Sequence, residues 1–308
     1  MATMTQQWQA SMPANIALIK YMGKRPGQHA INASLSYTLE QYLTTVTLTL
    51  ANATSFRQPN TWPKPAQKRF ISHLNYLKST FSISEHFTID SSNNFPSDCG
   101  LASSASSFAA LTQCFFNFMA SHDRQSHSTT PESIAYHSSK GSGSSGRSFF
   151  KPWGVWEADT FRSANLPYDN LNHRLIMIDN QPKRVSSSEA HQRVRTSSHY
   201  QKRAARANER FNELTQEISN KNWDNVRAIA WDEFQDMHAL FHTSQPPFSY
   251  FQPHTIQCLD LLKDSLINDK NGPVITMDAG CNIHLLFKKA SHSEPYLDML
   301  HHCCKDII

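Results

Sequence analysis

Alternating hydrophobic and polar positions along much of the chain predict the strands of an antiparallel sheet. The segments 34–38 and 44–50 alternate with a period of two residues, which is typical of strands with one buried face. A continuous apolar run at 15–19 predicts a fully buried strand ahead of them. Further strands are predicted at 86–90, 153–158, 173–179, 272–276 and 282–287.

Other segments place apolar residues at the three- and four-residue spacing of an amphipathic helix. The clearest begins at Ser103 and continues to Met119. Helices are also predicted at 66–80, 131–138, from 186 onward, at 222–240, 253–268 and 293–304. There is no internal repeat, and the change from strands to helices near 180–185 predicts two domains, 1–182 and 183–308.

The composition favours a protein that binds a small anionic molecule. The 308 residues carry a net charge of +4, which suits such a substrate but is too weak to indicate nucleic acid. No run approaches the roughly 18 apolar residues of a membrane helix, and residues 1–10 lack the apolar core of a signal peptide. Six cysteines without a CxxC pair predict reduced thiols in a cytoplasmic protein that binds no membrane.

Two local clusters resemble functional sites but are better explained otherwise. Between 183 and 210 the chain has eight Lys or Arg residues and two Glu residues. Because this segment contains no recognisable nucleic-acid motif, we interpret it mainly as a solvated helix face and expect no nucleic-acid partner. The run His301-His302-Cys303-Cys304 lacks a matching ligand pair elsewhere, so no metal site built from protein ligands is predicted.

A loop of small residues leads into the helix that begins at Ser103. Pro96 and Gly100 are residue types that favour turns and loops, and Ser103 and Ser104 suit a helix N-terminus. Such a helix start directs free backbone N–H groups at one point, which can bind an anion and above all a phosphate. The alternative is a capped core helix behind an ordinary loop, and one loop of this kind does not decide between the two.

A second loop is made almost entirely of glycine and serine. It comprises residues Gly141 to Gly146, and Arg147 follows it directly. This composition is typical of a flexible linker. The aromatic residues Phe149, Phe150 and Trp153 follow at once, however, and favour a fixed loop that wraps around a ligand. The guanidinium of Arg147 supplies a planar fork that suits a carboxylate or a phosphate.

A cationic cluster follows the first buried strand. Lys20 and Tyr21 come directly after the apolar run, and Lys24 and Arg25 lie a few residues further on. A solvated strand end is the alternative explanation. Asn15 and Lys20 flank residues that should be inside, however, and buried polar groups need hydrogen-bond partners. The cluster is therefore a candidate site for an anion.

Two further charged residues are candidates for chemistry. Asp278 follows the predicted strand at 272–276 and precedes Ala279-Gly280, which makes it a candidate general base. The alternative is an aspartate that only forms a turn. Arg69 lies on the predicted helix at 66–80 and could contact an anion, although a surface arginine is the commoner case.

Several blocks of sequence occur in an order that is typical of one enzyme family. They are 14–25, 32–36, 93–105, 141–148 with 156–157, 185–189 with 195–197, 237–239 with 246–250, and 278–282. This series resembles the diphosphomevalonate decarboxylases, which belong to the GHMP small-molecule kinase superfamily. The blocks span residues 14–282, so the resemblance covers nearly the whole chain.

The resemblance implies a fold, a reaction and partners. The fold is α+β and GHMP-kinase-like, with an N-terminal part like domain 2 of ribosomal protein S5, a ferredoxin-like C-terminal part, and a deep cleft between them. The reaction is the ATP-dependent decarboxylation of mevalonate 5-diphosphate to isopentenyl diphosphate, which belongs to the mevalonate pathway and releases ADP, phosphate and CO₂. The implied cofactors are ATP and Mg²⁺, and the implied assembly is a homodimer.

The resemblance also assigns roles to residues. Asp278 is expected to take or orient the hydroxyl proton, with Lys20 offsetting charge beside it. Arg147, held in place by Asn15, is expected to bind the C1 carboxylate. Substrate contacts are expected from Tyr21, Met22, Gly23, Lys24, Arg69, Ser142, Gly143, Ser144, Ser145, Arg147, Ser187 and Ser188. The ATP phosphates are expected at Gly100, Leu101, Ala102, Ser103 and Ser104.

The chain departs from the family pattern at several positions. Met22 replaces a tryptophan, Ser97-Asp98-Cys99 precedes the phosphate loop, Lys151-Pro152-Trp153 follows the substrate loop, and Cys281 stands where proline is usual. Asp98 would repel nucleotide phosphates unless Mg²⁺ bridges them or the side chain points away. The alternatives are a kinase of this fold, an enzyme acting on 5-phosphomevalonate or a related mevalonate derivative, and a binding module that uses the basic helix.

Overall fold

A long strand organises the first of two sheets in the computed structural model, which describes residues 6–23, 29–58, 62–96, 101, 103–122, 129–181 and 183–308. The strands of this sheet are β1 (Gln7–Ile19), β2 (Ser34–Ala51), β3 (Ser55–Phe56), β4 (His86–Asn93), β5 (Trp153–Glu157) and β6 (Thr160–Ser163). β1 follows one edge of β2, and β4 and β5 share the other edge. β1 is the outer strand on its side of β2, and β3 and β6 are the outer strands on the other side.

The central strand β2 is continuous, which corrects the prediction of two separate strands in this region. Its pairing with β1 shifts register between Pro13 and Ala14. Glu40 and Gln41 are exposed at this shift, and they interrupt the alternating pattern of the sequence. A register shift allows a strand to turn polar residues outward without leaving the sheet. The pairing of β2 with β1 therefore keeps the strand continuous where the alternating sequence pattern is interrupted.

The second sheet is antiparallel and has the order β10-β7-β9-β8. Its strands are β7 (Asn172–Met177), β8 (Val274–Thr276), β9 (Ile283–Phe287) and β10 (Asp306–Ile307). The chain therefore passes from the first sheet to the second between Ser163 and Asn172. The division into domains 1–182 and 183–308 stays a prediction.

The helices confirm the helical pattern of the sequence, with shifted ends. They are α1 (Lys64–Thr80), α2 (Ser103–Ser121), α3 (Pro131–Ser139), α4 (Ser187–Arg193), α5 (Arg203–Ser219), α6 (Trp223–His242), α7 (Pro253–Lys263), α8 (Ser265–Asn268) and α9 (Glu294–Leu300). The single helix predicted at 253–268 is divided into α7 and α8 at Asp264. Among the described residues, no helix combines the length and the apolar character needed to cross a membrane.

Two hydrophobic clusters fix the relative positions of these elements. Helices α1 and α2 cover one face of the first sheet, where Leu74 and Phe115 pack with Phe87 of β4. A second cluster contains residues of both sheets, including Ile16 and Leu286. Burial of apolar surface is the main favourable term in folding, so this shared cluster holds the two sheets together. The ends of β1 and β8 meet beside it.

The glycine-serine loop is a buried and ordered element. It forms a 3-10 helix, Gly143–Phe149, in which Ser145 and Gly146 are buried. Adding a Cβ atom at Gly146 would place it 2.3 Å from the ring of Phe161, so the residue must be glycine. The loop is therefore packed against the ring of Phe161, and the interpretation as a flexible linker is wrong.

The structure corrects the interpretation of the basic segment between 183 and 210. The side chain of Arg203 is fully buried and forms a salt bridge with Glu233. Arg206 and Arg210 form salt bridges with Asp236. The prediction of a mainly solvated helix face is wrong for Arg203, whereas the side chains of Arg206 and Arg210 are 27% and 22% exposed but paired with acidic groups. Their helical spacing places the three arginines on one face of α5. It does not show that α6 packs against that face and supplies the acidic partners.

The structure also corrects one expectation about the cysteines. Cys258 of α7 and Cys303 are joined by a disulfide with their Cα atoms 6.1 Å apart, so these two are not reduced thiols. Among the described residues, Cys114, Cys281 and Cys304 are free. The two paired residues are 45 positions apart, and no spacing rule in the sequence indicates that they meet.

Candidate active site

A cavity of about 370 Å³ lies where the two sheets meet. The end of β1, the start of α2 and the glycine-serine loop line it from the first half of the chain. The segment before α4 and the turn after β8 line it from the second half. The residues that face the cavity are Asn15, Ala17, Lys20, Tyr21, Met22, Arg69, Ser103, Ser104, Ser142, Gly143, Ser144, Arg147, Lys183, Ser186, Ser187, Ser188, His191, Met237, Asp278 and Ala279.

A lysine and an aspartate from opposite ends of the chain form an ion pair in this cavity. Lys20 Nζ donates a hydrogen bond to Asp278 Oδ1 at 2.8 Å. The side chain of Lys20 is 2% exposed, whereas that of Asp278 is 31% exposed and open to the cavity. Lys20 thus lies behind Asp278 and leaves part of the carboxylate accessible to a ligand.

The two charges shape each other's protonation. Burial would raise the pKa of Asp278, but the Lys20 ammonium, with His284 and Arg147, holds it below the ordinary 3.8. Burial lowers the pKa of Lys20 below 10.5, and the charge of Asp278 limits the fall. Asp278 is therefore ionised at neutral pH and can accept a proton or a hydrogen bond from a ligand. The turn-forming alternative does not account for its partner or its position.

Arg147 brings a second buried cation to the same cavity. Its residue is 3% exposed. Nη1 donates to Ser34 Oγ at 2.8 Å and Nη2 to Asn15 Oδ1 at 3.5 Å, while the buried Nε has no hydrogen-bond partner. Burial lowers the pKa of Arg147 to about 10, so the group is still cationic at neutral pH. A buried donor without a partner is costly, and an anionic ligand would satisfy it.

Asn15 connects Arg147 to the glycine-serine loop. Its Nδ2 donates to Ser148 Oγ at 2.9 Å and to the Ser144 carbonyl at 3.3 Å. Its oxygen faces Arg147, so the amide orientation is consistent with both partners. Ser145, which the sequence analysis expects to contact substrate, instead donates to the Ser142 carbonyl and bonds with Ser138. Its hydroxyl does not face the cavity and holds the loop.

An aromatic wall closes one side of the cavity. The ring of Tyr21 lies 4.6 Å from that of Trp156 and 4.7 Å from that of His191. Gly23, with a φ of 99°, donates its backbone N–H to His191 Nδ1 at 3.0 Å. Gly23, which is predicted to contact substrate, therefore supports His191 and does not itself line the cavity. Burial raises the pKa of Tyr21, so its hydroxyl keeps its proton at neutral pH.

The predicted phosphate loop is only partly described. Ser103 and Ser104 face the cavity from the first turn of α2, and Arg69 faces it from α1. Leu101 is buried in the hydrophobic core, so its side chain does not face the cavity. The predicted residues Lys24, Gly100 and Ala102 lie outside the described residues, as do Ser97, Asp98 and Cys99.

Two family models together match most of the chain. The diphosphomevalonate decarboxylase-like N-terminal domain matches residues 12–166, and the mevalonate 5-diphosphate decarboxylase C-terminal domain matches residues 174–307. The chain belongs to the diphosphomevalonate decarboxylase family. In this decarboxylase-family chain the two matches are separated by residues 167–173, which include the start of β7, where the chain passes from one sheet to the other.

Relatives and solved structures agree with this assignment. Diphosphomevalonate decarboxylase of Aspergillus fumigatus is 30% identical, over 88% of this chain and 74% of its own. The structure of a mevalonate diphosphate decarboxylase from Legionella pneumophila is 40% identical, with a TM-score of 0.89, and covers 98% of this chain and 100% of that one. A solved complex of MDDEF with MVAPP, AMPPCP and magnesium is 25% identical, with a TM-score of 0.86, over 98% and 95% of the two chains.

Several residues that face the cavity of this diphosphomevalonate decarboxylase family member are not indicated by their local sequence pattern. Lys183 donates to the carbonyl of Ala279, next to Asp278. His191 and Met237 face the cavity from α4 and α6. Lys183 lies two positions before the block 185–189 that carries part of the family resemblance. Its position was the signal that could have found it.

Proposed function

We propose that this chain catalyses the ATP-dependent decarboxylation of mevalonate 5-diphosphate to isopentenyl diphosphate, with release of ADP, phosphate and CO₂. The observation that carries the proposal is the combination of Asp278, Lys20 and Arg147 in one cavity of a chain from this family. An ionised carboxylate is available as a base, and a buried guanidinium with a free N–H is available for the substrate carboxylate.

The substrate has a tertiary 3-hydroxyl, which is a poor leaving group. ATP supplies the phosphoryl group that turns it into a good one. Asp278 takes or orients the hydroxyl proton, which requires the ionised form that its lowered pKa provides. Lys20 offsets the negative charge that develops at the oxygen. Because both groups are held before the substrate arrives, little reorganisation is needed during the reaction.

Arg147 acts on the other end of the bond that breaks. It binds the C1 carboxylate through N–H groups that include the unpartnered Nε. Loss of CO₂ then moves the electron pair of the C1–C2 bond into the new alkene as the C3–O bond to phosphate breaks. The carboxylate becomes neutral CO₂ in this step, so Arg147 must orient it without binding it so tightly that the barrier rises.

The residues at the start of α2 fit a nucleotide. Ser103 and Ser104 face the cavity, and the first turn of a helix of 19 residues carries backbone N–H groups that suit phosphates. Among the described residues, no three His, Cys, Asp or Glu side chains cluster as a metal site. Mg²⁺ would be held mainly by nucleotide phosphates, and Asp278, Ser103 and Ser104 face the same cavity with oxygen atoms of the kind that Mg²⁺ prefers.

One assay tests the proposal directly. The purified chain is incubated with ATP, Mg²⁺ and mevalonate 5-diphosphate, and we expect ADP, phosphate and CO₂ to form in equal amounts. ADP without CO₂ would show a kinase of the same fold. Faster turnover of 5-phosphomevalonate than of the diphosphate would reassign the substrate. No turnover of either compound would contradict the proposal.

A variant at the start of α2 tests the nucleotide site. Ser104→Ala is expected to raise the KM for ATP by about tenfold, because it removes one hydrogen bond to a charged phosphate. Ser107→Ala is the matched control, since the Ser107 hydroxyl donates to the Ser103 carbonyl inside the helix. The measurement is a steady-state titration of ATP for both variants. Equal KM values in Ser104→Ala and wild type would return this segment to the role of a capped core helix.

Three further expectations belong to this proposal. We expect a homodimer from the family resemblance, a cytoplasmic location from the cysteine pattern and the N-terminal composition of the sequence, and no nucleic-acid partner. The last is supported by Arg203, Arg206 and Arg210, whose charges are already paired with Glu233 and Asp236. Sedimentation of the purified chain would test the dimer, and a titration with duplex DNA at low salt would test the absence of nucleic-acid binding.

A further inference from the structure

The backbone of Lys20 is held by a pair of charged side chains beneath the cavity. Its N–H donates to Glu233 Oε1 at 2.9 Å, and its carbonyl accepts from Arg203 Nη2 at 3.2 Å and from Asn32 Nδ2 at 3.1 Å. Strand β1 ends at Ile19, so Lys20 has left the sheet and its backbone groups need other partners. Glu233 and Arg203 supply two of them.

These two side chains belong to a larger buried network that joins α5 to α6. Arg203 Nη1 donates to Glu233 Oε2 at 2.9 Å and to Asp236 Oδ2 at 2.8 Å. Asp236 also accepts from Arg206 and Arg210, and Arg210 reaches Glu233 at 3.2 Å. The side chains of Arg203 and Glu233 are both fully buried. Lys20 is thus attached to a rigid unit built on two helices.

Stability alone is a weak explanation for such a pair. Removing two charges from water is costly, and apolar residues of similar volume often replace a buried ion pair without loss of stability. An apolar pair could not hold the N–H and the carbonyl of Lys20. Asp236 provides a comparison within this network. It pairs with the same arginine as Glu233 does, but among the described residues its hydrogen bonds go to arginines and not to Lys20.

We propose that Glu233 and Arg203 are positioning residues that fix the Lys20 backbone so that its ammonium meets Asp278. The inference rests on the proposed function, since it concerns the same reaction. The Lys20 side chain spans from this backbone anchor to Asp278 Oδ1, and both ends of it are held by hydrogen bonds. Loss of the anchor lets the ammonium move relative to the reacting oxygen, and a displacement of about 1 Å can cost about 100-fold in rate.

The pair also acts on the charge of Lys20. Burial lowers the pKa of Lys20, the carboxylates of Asp278 and Glu233 raise it, and Arg147 lowers it. In the part of the chain that the structure describes, Arg203 and His238 also lie close to Lys20. Glu233 therefore helps to keep the ammonium protonated as pH rises, and its loss moves the alkaline limit of activity to lower pH.

The test compares two carboxylates of the same network. In Glu233→Gln the amide cannot accept from Lys20 and from both arginines at once, so at least one contact is lost. We expect kcat to fall by at least about tenfold with the KM for ATP unchanged. The alkaline limb of the kcat profile should move to lower pH. Asp236→Asn is the matched control, and it should keep kcat within about twofold even if its Tm falls.

Two further measurements separate positioning from folding. The double variant Arg203→Met/Glu233→Leu replaces the pair with apolar side chains, and it should fold while losing kcat like Glu233→Gln. Hydrogen exchange at the Lys20 amide should be faster in Glu233→Gln than in Asp236→Asn. This measurement needs no substrate and does not depend on which substrate the enzyme uses. A folded double variant with wild-type kcat would overturn the inference, as would equal loss of kcat in Glu233→Gln and Asp236→Asn. A wild type that turns over no mevalonate derivative would instead overturn the proposed function.

Discussion

Asp278→Asn is expected to lower kcat by about 10³-fold, which is within the range for removal of a positioned general base. The amide cannot take the hydroxyl proton, and it leaves the Lys20 ammonium without its carboxylate partner. ATP binding should change little, because the nucleotide contacts are expected at the start of α2. The measurement is single-turnover release of CO₂ beside a titration of ATP. A variant that keeps more than about a tenth of the wild-type kcat would show that Asp278 is not the base.

A matched control separates this effect from a general loss of stability. Asp269 accepts a hydrogen bond from the Tyr296 hydroxyl at 2.7 Å and lies outside the cavity. Asp269→Asn should therefore change Tm more than kcat. If it lowered kcat as much as Asp278→Asn, the result would point to destabilisation of this part of the chain.

A double variant tests whether Lys20 and Asp278 act as one unit. Residues that form a unit are strongly non-additive, so Lys20→Met/Asp278→Asn should lose little more than Asp278→Asn alone. The double variant also removes the unpaired buried ammonium that the single variant creates, which should restore part of any lost stability. Independent losses that multiply in the double variant would contradict the coupling that the 2.8 Å contact indicates.

Arg147→Lys is expected to lower kcat by about 100-fold while the chain stays folded and binds ATP. Lysine keeps the charge, but its three N–H groups radiate from one nitrogen. They cannot reproduce the planar fork with which Arg147 bonds to Ser34 and Asn15 and still presents a separate Nε. The substrate would keep its attraction to the site but lose its orientation, so kcat should change more than KM. Single-turnover CO₂ release and an ATP titration measure the two effects separately.

The control for this variant is another buried arginine. Arg227 is almost fully buried and donates to the carbonyls of Ser265, Asp269 and Pro273, away from the cavity. Arg227→Lys should lower Tm and leave kcat nearly unchanged. A near-normal kcat in Arg147→Lys would mean that charge alone suffices or that the substrate carboxylate lies elsewhere in the cavity.

Local pattern predicted most of the secondary structure but not all of its boundaries. The helices α1, α3 and α6 follow from the spacing of their apolar residues, because each buries one face, whereas α2 is apolar and buried around most of its circumference. The continuity of β2 does not follow, since Glu40 and Gln41 break the alternation locally. Only the pairing of β2 with β1 carries the strand across them. The short strands β3, β6 and β10 also depend on neighbours that are distant in sequence.

The candidate site was predicted as separate groups of residues rather than as a geometry. Arg147 at the end of a glycine-serine loop and Asp278 after an apolar strand are visible in the sequence, and the family resemblance assigns them to one reaction. The sequence did not show that Ser145 faces away from the cavity or that His191 and Lys183 face it. Those are questions of side-chain direction, and they are decided by the packing of α3, α4 and the turn after β8.

The sequence by itself therefore determined most of the element types, the family and the candidate residues for the chemistry, because periodicity and the order of motifs are visible without the tertiary structure. Tertiary structure alone decided which charges are neighbours. Lys20 and Asp278 are 258 positions apart, and Arg203 meets Glu233 across two helices. The sequence around a lysine or an arginine reads the same whether its side chain is solvated or buried in the folded chain. Its pKa, its partner and its role depend on what the folded chain places against it.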